Sequence, residues 1–371
     1  MRATIGALQA MCLLTMAVAE DTIVVFDAGR CGSASRSFLQ LPEFDSTVTS
    51  DYVSHNVGRL PQNGNFESSD FLYRDSTCAY TELLRASDYF DVGSFPARTT
   101  VALFYADKGQ WHKHGSGTMI SPRHVLTAAH NVQYEARWWG EDSLLIVPAL
   151  DLGKAHPEIG STISTKSYYL THGSTACCYG RSRHDFAVLR LRDPIGEKTG
   201  WLGYGFQPRE FFSTKRMHWF SYPGVPPDDS SRDFNSDTMF YSTMLNPEEP
   251  CIDTRFTGIP GQSGSNVFCD TDGDYVIYWN MSTGFRYVDN KVFTLIRFAV
   301  SDTTDLWANH SIAAGPGAIQ GIAPLRRSIT THGLIVASDI DAYNLIGRKT
   351  VSFPRHEGNP GTSYSPVLLK Q

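Results

Sequence analysis

Several patterns that would point to other classes of protein are missing from this sequence. No stretch reaches the roughly 18 consecutive apolar residues that a membrane-spanning helix needs, so we expect no membrane insertion. The formal net charge is −6, and this acidic balance leaves no basic surface for nucleic acid. The chain has no C-x-x-C pair, and we interpret His112 and His114 as one solvated face of a strand. We therefore expect no metal, no cofactor and no nucleic-acid partner.

Internal repeats and low-complexity tracts are also absent. The 371 residues are 41% hydrophobic and include 31 glycines. Most apolar residues occur in short runs separated by turn residues, which is typical of strands. This composition suits one large or two small all-β domains with an ample core.

The N-terminus is typical of a secretory signal. An apolar stretch at residues 7–17 follows Arg2, and Ala17-Val18-Ala19 supplies the small residues of a cleavage site before Glu20. The alternative is a buried N-terminal helix. We predict a signal peptide at 1–19 and a secreted, extracellular protein, whose oligomeric state the sequence leaves open.

The rest of the chain divides into an N-terminal part, a strand-rich part and a tail. Residues 20–95 are mixed and polar without a long periodic element, and we predict a pro-segment or N-terminal extension there. We predict a main domain over 96–347, with one barrel at about 96–200 and a second at about 201–330, followed by a tail at 348–371. The strand-like runs are Thr100 to Tyr105, Gly117 to Ser121, Val125 to Ala129, Leu144 to Val147, Phe186 to Leu191, Met217 to Tyr222, Met239 to Ser242, Val267 to Cys269, Tyr275 to Trp279 and Val292 to Val300.

Three segments carry residues suited to nucleophilic catalysis. Gly261-Gln262-Ser263-Gly264-Ser265 puts a serine in a tight, glycine-flanked turn. A serine hydroxyl needs a neighbouring base and a third group that orients the base. His130 ends an apolar strand-like run, and Asp185 opens another whose apolar residues can bury it. The alternative interpretation is a loop serine, a hydrogen-bonded core histidine and a strand-end cap.

In this order, His130, Asp185 and Ser263 resemble the catalytic residues of the trypsin-like serine protease family. Other segments are similar, in sequence order, to motifs of its glutamyl endopeptidase branch: Pro194-Ile195-Gly196, Gly200-Trp201-Leu202-Gly203-Tyr204-Gly205, Ser221-Tyr222-Pro223-Gly224 and Ile252-Asp253-Thr254. The resemblance covers roughly residues 96 to 330 and makes 96–347 a trypsin-like peptidase domain.

This resemblance implies a fold. It is all-β, with two six-stranded antiparallel β-barrels, the active site in the cleft between them and a C-terminal helix. We predict the helix at Leu334 to Leu345, after a terminal strand at Gly321 to Ile329. The long segment after Ser263 leaves room for an extra hairpin around Val292 to Val300.

The resemblance also implies roles for the site residues. Ser263 attacks the peptide carbonyl, His130 takes its proton, and Asp185 fixes the imidazole tautomer. The backbone N–H groups of Gly261 and Ser263 form the oxyanion hole. Because His130 acts as a base only when neutral, we expect the rate to fall in acid. Gln262 stands where members activated by clipping have an aspartate that binds the new N-terminal ammonium, so we expect a zymogen to mature by losing a cover.

Cysteines and glycosylation triplets agree with export. Without Cys12 of the signal, six cysteines remain, an even number typical of disulfides: Cys31, Cys78, Cys177, Cys178, Cys251 and Cys269. We favour a Cys251–Cys269 bridge because these residues bracket Ser263. The adjacent Cys177 and Cys178 cannot easily form a disulfide with each other. We expect one or both of them to pair with another cysteine, such as Cys31 or Cys78. Asn280 and Asn309 begin N-x-S triplets of a glycoprotein, although Asn280 lies in a strand-like run.

Two features depart from the family pattern. The cysteine pair beside the catalytic histidine is replaced by Gly115 and Asn131, so we expect packing alone to hold the local loop. The glutamyl endopeptidases have a histidine in the substrate pocket, but Tyr275 to Phe285 contains no histidine. Trp279 or Asn280 stands at the equivalent position. Proteases that cleave after Lys or Arg have an aspartate in the substrate pocket, and Thr257 stands at that position here. The nearest charged residues are Asp253 and Arg255. We assign no pocket residue.

The function predicted from the sequence is a secreted serine endopeptidase that cleaves protein or peptide substrates through an acyl-enzyme. The alternative is a secreted protease-fold protein that binds partners without turnover. A complete triad and an oxyanion glycine favour the enzyme, since a binding module has no physical need for all of them.

Overall fold

The computed structural model describes residues 22–27, 35–54, 83–107, 110–134, 137–138, 143–170, 183–224, 237–245, 259–282 and 284–302. Strands dominate these residues. They are β1 (Thr22–Asp27), β2 (Ser35–Gln40), β3 (Asp51–Val53), β4 (Leu84–Arg85), β5 (Thr100–Asp107), β6 (Gln110–Ser121), β7 (His124–Thr127), β8 (Gln133–Tyr134), β9 (Arg137–Trp138), β10 (Leu145–Pro148), β11 (Thr162–Leu170), β12 (Ala187–Leu191), β13 (Gly203–Phe206), β14 (Arg216–Ser221), β15 (Phe240–Leu245), β16 (Asn266–Thr271), β17 (Asp274–Met281) and β18 (Phe285–Tyr287). The helices are α1 (Gly196–Thr199) and α2 (Asn290–Ser301), with 3-10 turns at Ala86–Asp88, Ala97–Thr99, Ala129–Asn131 and Arg209–Thr214.

The first sheet contains a closed antiparallel barrel. Its strand order is β10-β5-β6-β7-β12-β11, and the barrel closes because β10 also pairs with β11. Successive side chains of a strand point to opposite faces, and both faces are buried in β5. Val101 and Leu103 pack into one apolar cluster, whereas Ala102 and Phe104 join another that continues into the second sheet. This double burial accounts for the continuous apolar run that predicted the strand.

The second sheet has the order β3-β13-β17-β16-β14-β15-β4, with β18 paired to β17. All its pairings are antiparallel except β13 with β17, where Gly203 lies opposite Val276 in parallel register. An aromatic-rich cluster that includes Phe212, Trp219 and Tyr278 packs beside this sheet. The all-β prediction is thus confirmed, with a closed six-stranded antiparallel barrel followed by a second, mainly antiparallel sheet.

Residues before position 96 contribute to both sheets. β1 pairs with β11 and β2 in the first sheet, and all six of its residues are buried. β3 pairs with β13 and β4 pairs with β15 in the second sheet. The prediction that 20–95 is a pro-segment or extension stays a prediction, as do the predicted domain boundaries. The described strands of this range nevertheless supply backbone hydrogen bonds and core to the main fold.

The hairpin predicted around Val292 to Val300 is wrong, because this segment is the helix α2. Val292, Leu295, Ile296 and Ala299 are all fully buried, and their spacing is that of one helix face. The Asp289 side chain caps the helix by accepting a hydrogen bond from Val292 N at 2.9 Å. The β-branched and aromatic residues of the segment favoured the strand interpretation, but the helical spacing and the cap prevail.

α2 is the last element that the structure describes. The helix predicted at Leu334 to Leu345 and the strand predicted at Gly321 to Ile329 lie outside the described residues. Among the residues described, no helix is long and apolar enough to cross a membrane.

Candidate active site

His130 lies on the 3-10 turn Ala129–Asn131, directly after β7. The small residues Ala128 and Ala129 are fully buried, so the turn packs closely on the barrel. His130 is anchored at two points by Asp185: its backbone N donates to Oδ1 at 2.9 Å, and its Nδ1 lies 2.6 Å from Oδ2. The His130 side chain is 22% exposed, whereas that of Asp185 is 0% exposed. The imidazole therefore reaches solvent on one side and a buried carboxylate on the other.

Asp185 stands just before β12 and is surrounded by hydrogen-bond donors. Besides His130, the Ser282 Oγ donates to Oδ2 at 2.5 Å. Burial disfavours the carboxylate, but the His130 charge and the hydrogen bonds from His130 and Ser282 outweigh burial and lower the pKa of Asp185 below its ordinary value. When His130 is neutral, an ionised Asp185 favours the tautomer in which Nδ1–H donates to the carboxylate, and the unprotonated Nε2 is then suited to act as a base.

The sequence interpretation missed Ser282 as a site residue, and it considered Asn280 only for the substrate pocket and for glycosylation. The Asn280 side chain is fully buried, and its Nδ2 donates to the backbone oxygen of Asp185 at 2.9 Å. The Asn280 triplet is thus unsuited to carry a glycan, as its place in a strand-like run indicated, because the amide is enclosed and hydrogen-bonded. Residues two apart in a strand point to the same face. Asn280 and Ser282 are two apart at the end of β17, and both side chains therefore face Asp185. Asn309 lies outside the described residues.

Ser263 is held through its backbone beside the histidine turn. The Ser263 carbonyl accepts from Ser116 N at 2.8 Å and from Asn131 Nδ2 at 2.8 Å. Asn131 directly follows His130, so the two turns are joined. Within the described part of the chain, no hydrogen bond joins Ser263 Oγ to His130. The structure thus brings His130 and Asp185 into contact and places Ser263 next to their turn without closing the serine–histidine bond.

Asn131 and Gly115 form a polar strut at the positions where the sequence resemblance led us to look for a cysteine pair. Asn131 is 1% exposed, and its Nδ2 donates to Thr127 Oγ1 at 2.9 Å as well as to the Ser263 carbonyl. A Cβ at Gly115 would lie 2.4 Å from Asn131 Nδ2, so only glycine leaves room for this amide. The expectation that packing alone holds the loop is therefore wrong. Hydrogen bonds from Asn131 tie the histidine turn to the serine turn.

The turn before Ser263 has two backbone amides of fixed direction. The Pro260 carbonyl accepts from Gly224 N at 2.5 Å, and the Gln262 carbonyl accepts from Ser265 N at 3.0 Å and Ser265 Oγ at 2.6 Å. In a trans peptide the N–H points opposite to the C=O. The N–H groups of Gly261 and Ser263 therefore point away from these anchors, and neither donates to any residue that the structure describes.

Gly261 and Gln262 explain why this turn keeps its shape. Gly261 has φ +93°, and a Cβ there would lie 2.6 Å from the Tyr222 backbone oxygen. Only glycine fits both the conformation and the space. Gln262 is fully buried, and its Oε1 accepts from Ile259 N at 3.1 Å. An uncharged side chain thus closes the turn from within.

The remaining predicted residues have other surroundings. Trp279 packs on Phe212, with ring centroids 4.2 Å apart, in the aromatic cluster of the second sheet. Cys269 is a buried free thiol whose pKa burial raises to about 12, and its predicted partner Cys251 lies outside the described residues. Thr257, Asp253 and Arg255 lie outside them too, as do the remaining predicted disulfide cysteines, Cys31, Cys78, Cys177 and Cys178.

The interpretation of His112 and His114 as one solvated face is wrong for His114, whose Nε2 is buried. Burial, followed by the charges of His130 and Lys113, lowers the pKa of His114 to about 3. His114 also packs edge-on against Tyr105, with ring centroids 5.4 Å apart, and His112 stacks on the same ring at 5.3 Å. A neutral, enclosed imidazole therefore lies near His130.

No family model and no curated protein matches this chain. Among solved structures, the chain is similar to a thermostable serine protease, AL20, from an extremophilic microorganism, with 14% identity and a TM-score of 0.40 over 55% of this chain and 98% of that one. It is also similar to a Glu endopeptidase solved in complex with MPD, with 18% identity and a TM-score of 0.42 over 62% of this chain and 99% of that one. The likeness is one of fold, and the chemistry of the site rests on the contacts of its own residues.

Proposed function

We propose that this chain is a serine endopeptidase that hydrolyses peptide bonds through an acyl-enzyme. The observation that carries the proposal is the buried Asp185 carboxylate, which holds His130 by its backbone N and by Nδ1. The same carboxylate is fixed by Ser282. A carboxylate that is fully enclosed and bonded to an imidazole costs free energy to bury, and orienting a general base is a role that accounts for it.

The proposed first step transfers a proton from Ser263 to His130. With Nδ1–H directed at Asp185, the free Nε2 is the acceptor. No hydrogen bond joins Ser263 Oγ to His130 Nε2 in the described structure, so the proposal requires the two atoms to approach each other before the proton moves. Such bonds are often long in the absence of substrate and tighten when it binds. Attack on the substrate carbonyl then gives a tetrahedral oxyanion, and its collapse releases the amine after His130 returns the proton.

The proposed oxyanion hole consists of the Gly261 and Ser263 amides. Their carbonyl partners are fixed by Gly224 and Ser265, so the donors need no rearrangement when negative charge develops. Preorganised donors of this kind contribute about 2.7 to 4 kcal/mol each to the transition state. Hydrolysis of the acyl-enzyme by water repeats the same steps with His130 as the base.

The cellular setting is part of the proposal. The signal-like N-terminus and the even cysteine count support secretion and action on extracellular proteins or peptides. The buried, uncharged Gln262 supports maturation, where it occurs, by removal of a cover. It does not offer the carboxylate that a new N-terminal ammonium needs.

Covalent labelling tests the proposal. The purified wild type is treated with a fluorophosphonate probe and assayed on casein, beside Ser263→Ala and the control Ser213→Ala, which changes an exposed serine. We expect labelling and cleavage by the wild type and the control, and neither by Ser263→Ala. A protease-fold binding module predicts no labelling of any form, and labelling that persists in Ser263→Ala would place the nucleophile elsewhere.

A further inference from the structure

Lys113, on β6, extends its amine into the serine turn. Its Nζ donates to the Tyr222 carbonyl at 2.8 Å and to the Gly261 carbonyl at 3.4 Å, and it lies 5.7 Å from the centroid of the Tyr222 ring. The proposed reaction gives this residue no part. A lysine whose amine bonds backbone carbonyls next to a candidate oxyanion hole therefore needs a separate account.

The same two residues are also held from β6 by Ser116. The Ser116 Oγ donates to the Gly261 carbonyl at 2.7 Å and accepts from Tyr222 N at 3.0 Å. Lys113 and Ser116 thus converge on the Gly261 carbonyl. Gly224 N fixes the preceding peptide through the Pro260 carbonyl. Together these contacts fix the peptides on both sides of Gly261, and with them the direction of the Gly261 N–H.

The position of this amine is costly for the fold. Burial lowers the pKa of Lys113 to about 7, although the charge of Asp237 limits the fall. A lysine with a depressed pKa is held in the folded state at the expense of its charged form. An apolar side chain of similar length would avoid this burial cost but would lose the hydrogen bonds to the Tyr222 and Gly261 carbonyls, so we expect the two effects on stability to offset each other.

We propose that Lys113 is a positioning residue that holds the Gly261 peptide from behind, so that the oxyanion amides face the cleft in the uncleaved chain. The inference rests on the proposed function, since it assigns a support to the proposed oxyanion hole. It also explains how a turn with a neutral Gln262 keeps its shape. The amine of Lys113, which bonds the backbone carbonyls of the turn, takes the part that a new N-terminal ammonium plays in proteases activated by clipping.

A lysine-to-methionine pair tests the assignment. Lys113→Met keeps the length of the side chain and removes the amine. Lys215→Met is a matched control, because Lys215 also donates to a backbone carbonyl, that of Asp270 at 3.0 Å, and lies 4.9 Å from a ring centroid, that of Phe211. We expect Lys113→Met to lower kcat on a peptide substrate roughly ten- to hundredfold, less than the loss of an oxyanion donor. KM and Tm are expected to stay unchanged, and Lys215→Met is expected to behave as the wild type.

The pH profile separates positioning from packing. Among the described residues, the ionisable groups near the amine are Asp237, His114 and Tyr222, whose ring centroid lies 5.7 Å away. Burial keeps His114 neutral, with a pKa of about 3, and raises the pKa of Tyr222 well above its ordinary value. Dividing the wild-type kcat by that of Lys113→Met cancels any pH dependence that the two forms share. We expect this ratio to fall as the pH rises through about 7, because the wild type then loses the charge of Lys113.

The outcomes distinguish the two proposals. Wild type that neither labels with the fluorophosphonate nor cleaves peptide would overturn the proposed function and the role of Lys113 with it. Active wild type with Lys113→Met equally active would overturn the positioning role alone. A loss of kcat that follows a matching loss of Tm, with a pH-independent ratio, would show that Lys113 serves packing and would also overturn it.

Discussion

The two halves of the candidate site are held in different ways. The base half is held by side chains, because the buried Asp185 carboxylate accepts bonds from His130 and Ser282. The nucleophile half is held by main-chain carbonyls, since those of Pro260, Gln262 and Ser263 all accept hydrogen bonds while the amides of Gly261 and Ser263 donate none within the described structure. The general base needs a charge that orients it, whereas an oxyanion hole needs N–H donors that are not used within the protein. Hydrogen bonds to the carbonyls fix the peptides and leave their N–H groups available.

Removing the charge from the base half is expected to have the largest effect of three substitutions. Asp185→Asn retains the size of the side chain but no longer favours the Nδ1–H tautomer of His130. We expect kcat to fall about 10⁴-fold, as in other triads of this type. The control Asp193→Asn changes a carboxylate that pairs with Arg192 at 3.1 Å and is expected to retain full activity. A rate within tenfold of the wild type for Asp185→Asn, tenfold being about 1.4 kcal/mol, would remove the main support for the triad.

Blocking the nucleophile half is expected to have the next largest effect. In Gly261→Ala, the new methyl group would lie 2.6 Å from the Tyr222 backbone oxygen, so the turn must shift. This shift turns the N–H of residue 261 away from the oxyanion position. We expect a fall in kcat of about 10²- to 10³-fold, the usual result of losing one oxyanion donor. Gly160→Ala is the matched control, because Gly160 also has a positive φ, of +77°, but nothing lies within 4 Å of the added carbon. Equal kinetics in the two alanine variants would show that strain in general, rather than this turn, limits the rate.

Cutting the link between the halves is expected to have the smallest effect. Asn131→Ala removes two hydrogen bonds from one buried amide and leaves the Ser263 carbonyl without this donor. We expect the free energy of unfolding to fall by about 1 to 3 kcal/mol, measured by denaturant titration. Asn290→Ala serves as the control, since the Asn290 amide donates to the Asp45 carbonyl at 2.7 Å on the exposed surface. If both variants lost the same small amount, Asn131 would be an ordinary surface-like contact and not a strut.

The parts of the site that depend on local sequence were predictable. A histidine after a run of small residues, an acid at a strand mouth and a glycine-flanked serine are each encoded within a few positions, and the structure places the first two in contact. The all-β class followed in the same way from short apolar runs. The segment around Val292 was misread because the same residues suit either a buried strand or one face of a helix, and only packing decides between them.

The supporting residues were not predictable from local sequence. Ser282 meets Asp185 across 97 positions, Asn131 meets Ser263 across 132, and Lys113 meets Gly261 across 148. The residues that flank a lysine or an asparagine in the sequence do not indicate so distant a partner, because the contact forms only when the strands are assembled in the folded protein. The paired departure at Gly115 and Asn131 was visible as a missing disulfide, but the hydrogen bonds that replace it required coordinates.

The central claim is that Ser263 is activated by His130 and faces the amides of Gly261 and Ser263. The crystal structure of the wild type after reaction with a fluorophosphonate tests this claim most directly. We expect phosphorus bonded to Ser263 Oγ and the phosphonyl oxygen about 2.7 to 3.1 Å from both amide nitrogens, with the His130 imidazole still bonded to Asp185. An adduct on another residue, or a phosphonyl oxygen directed away from both amides, would contradict the account.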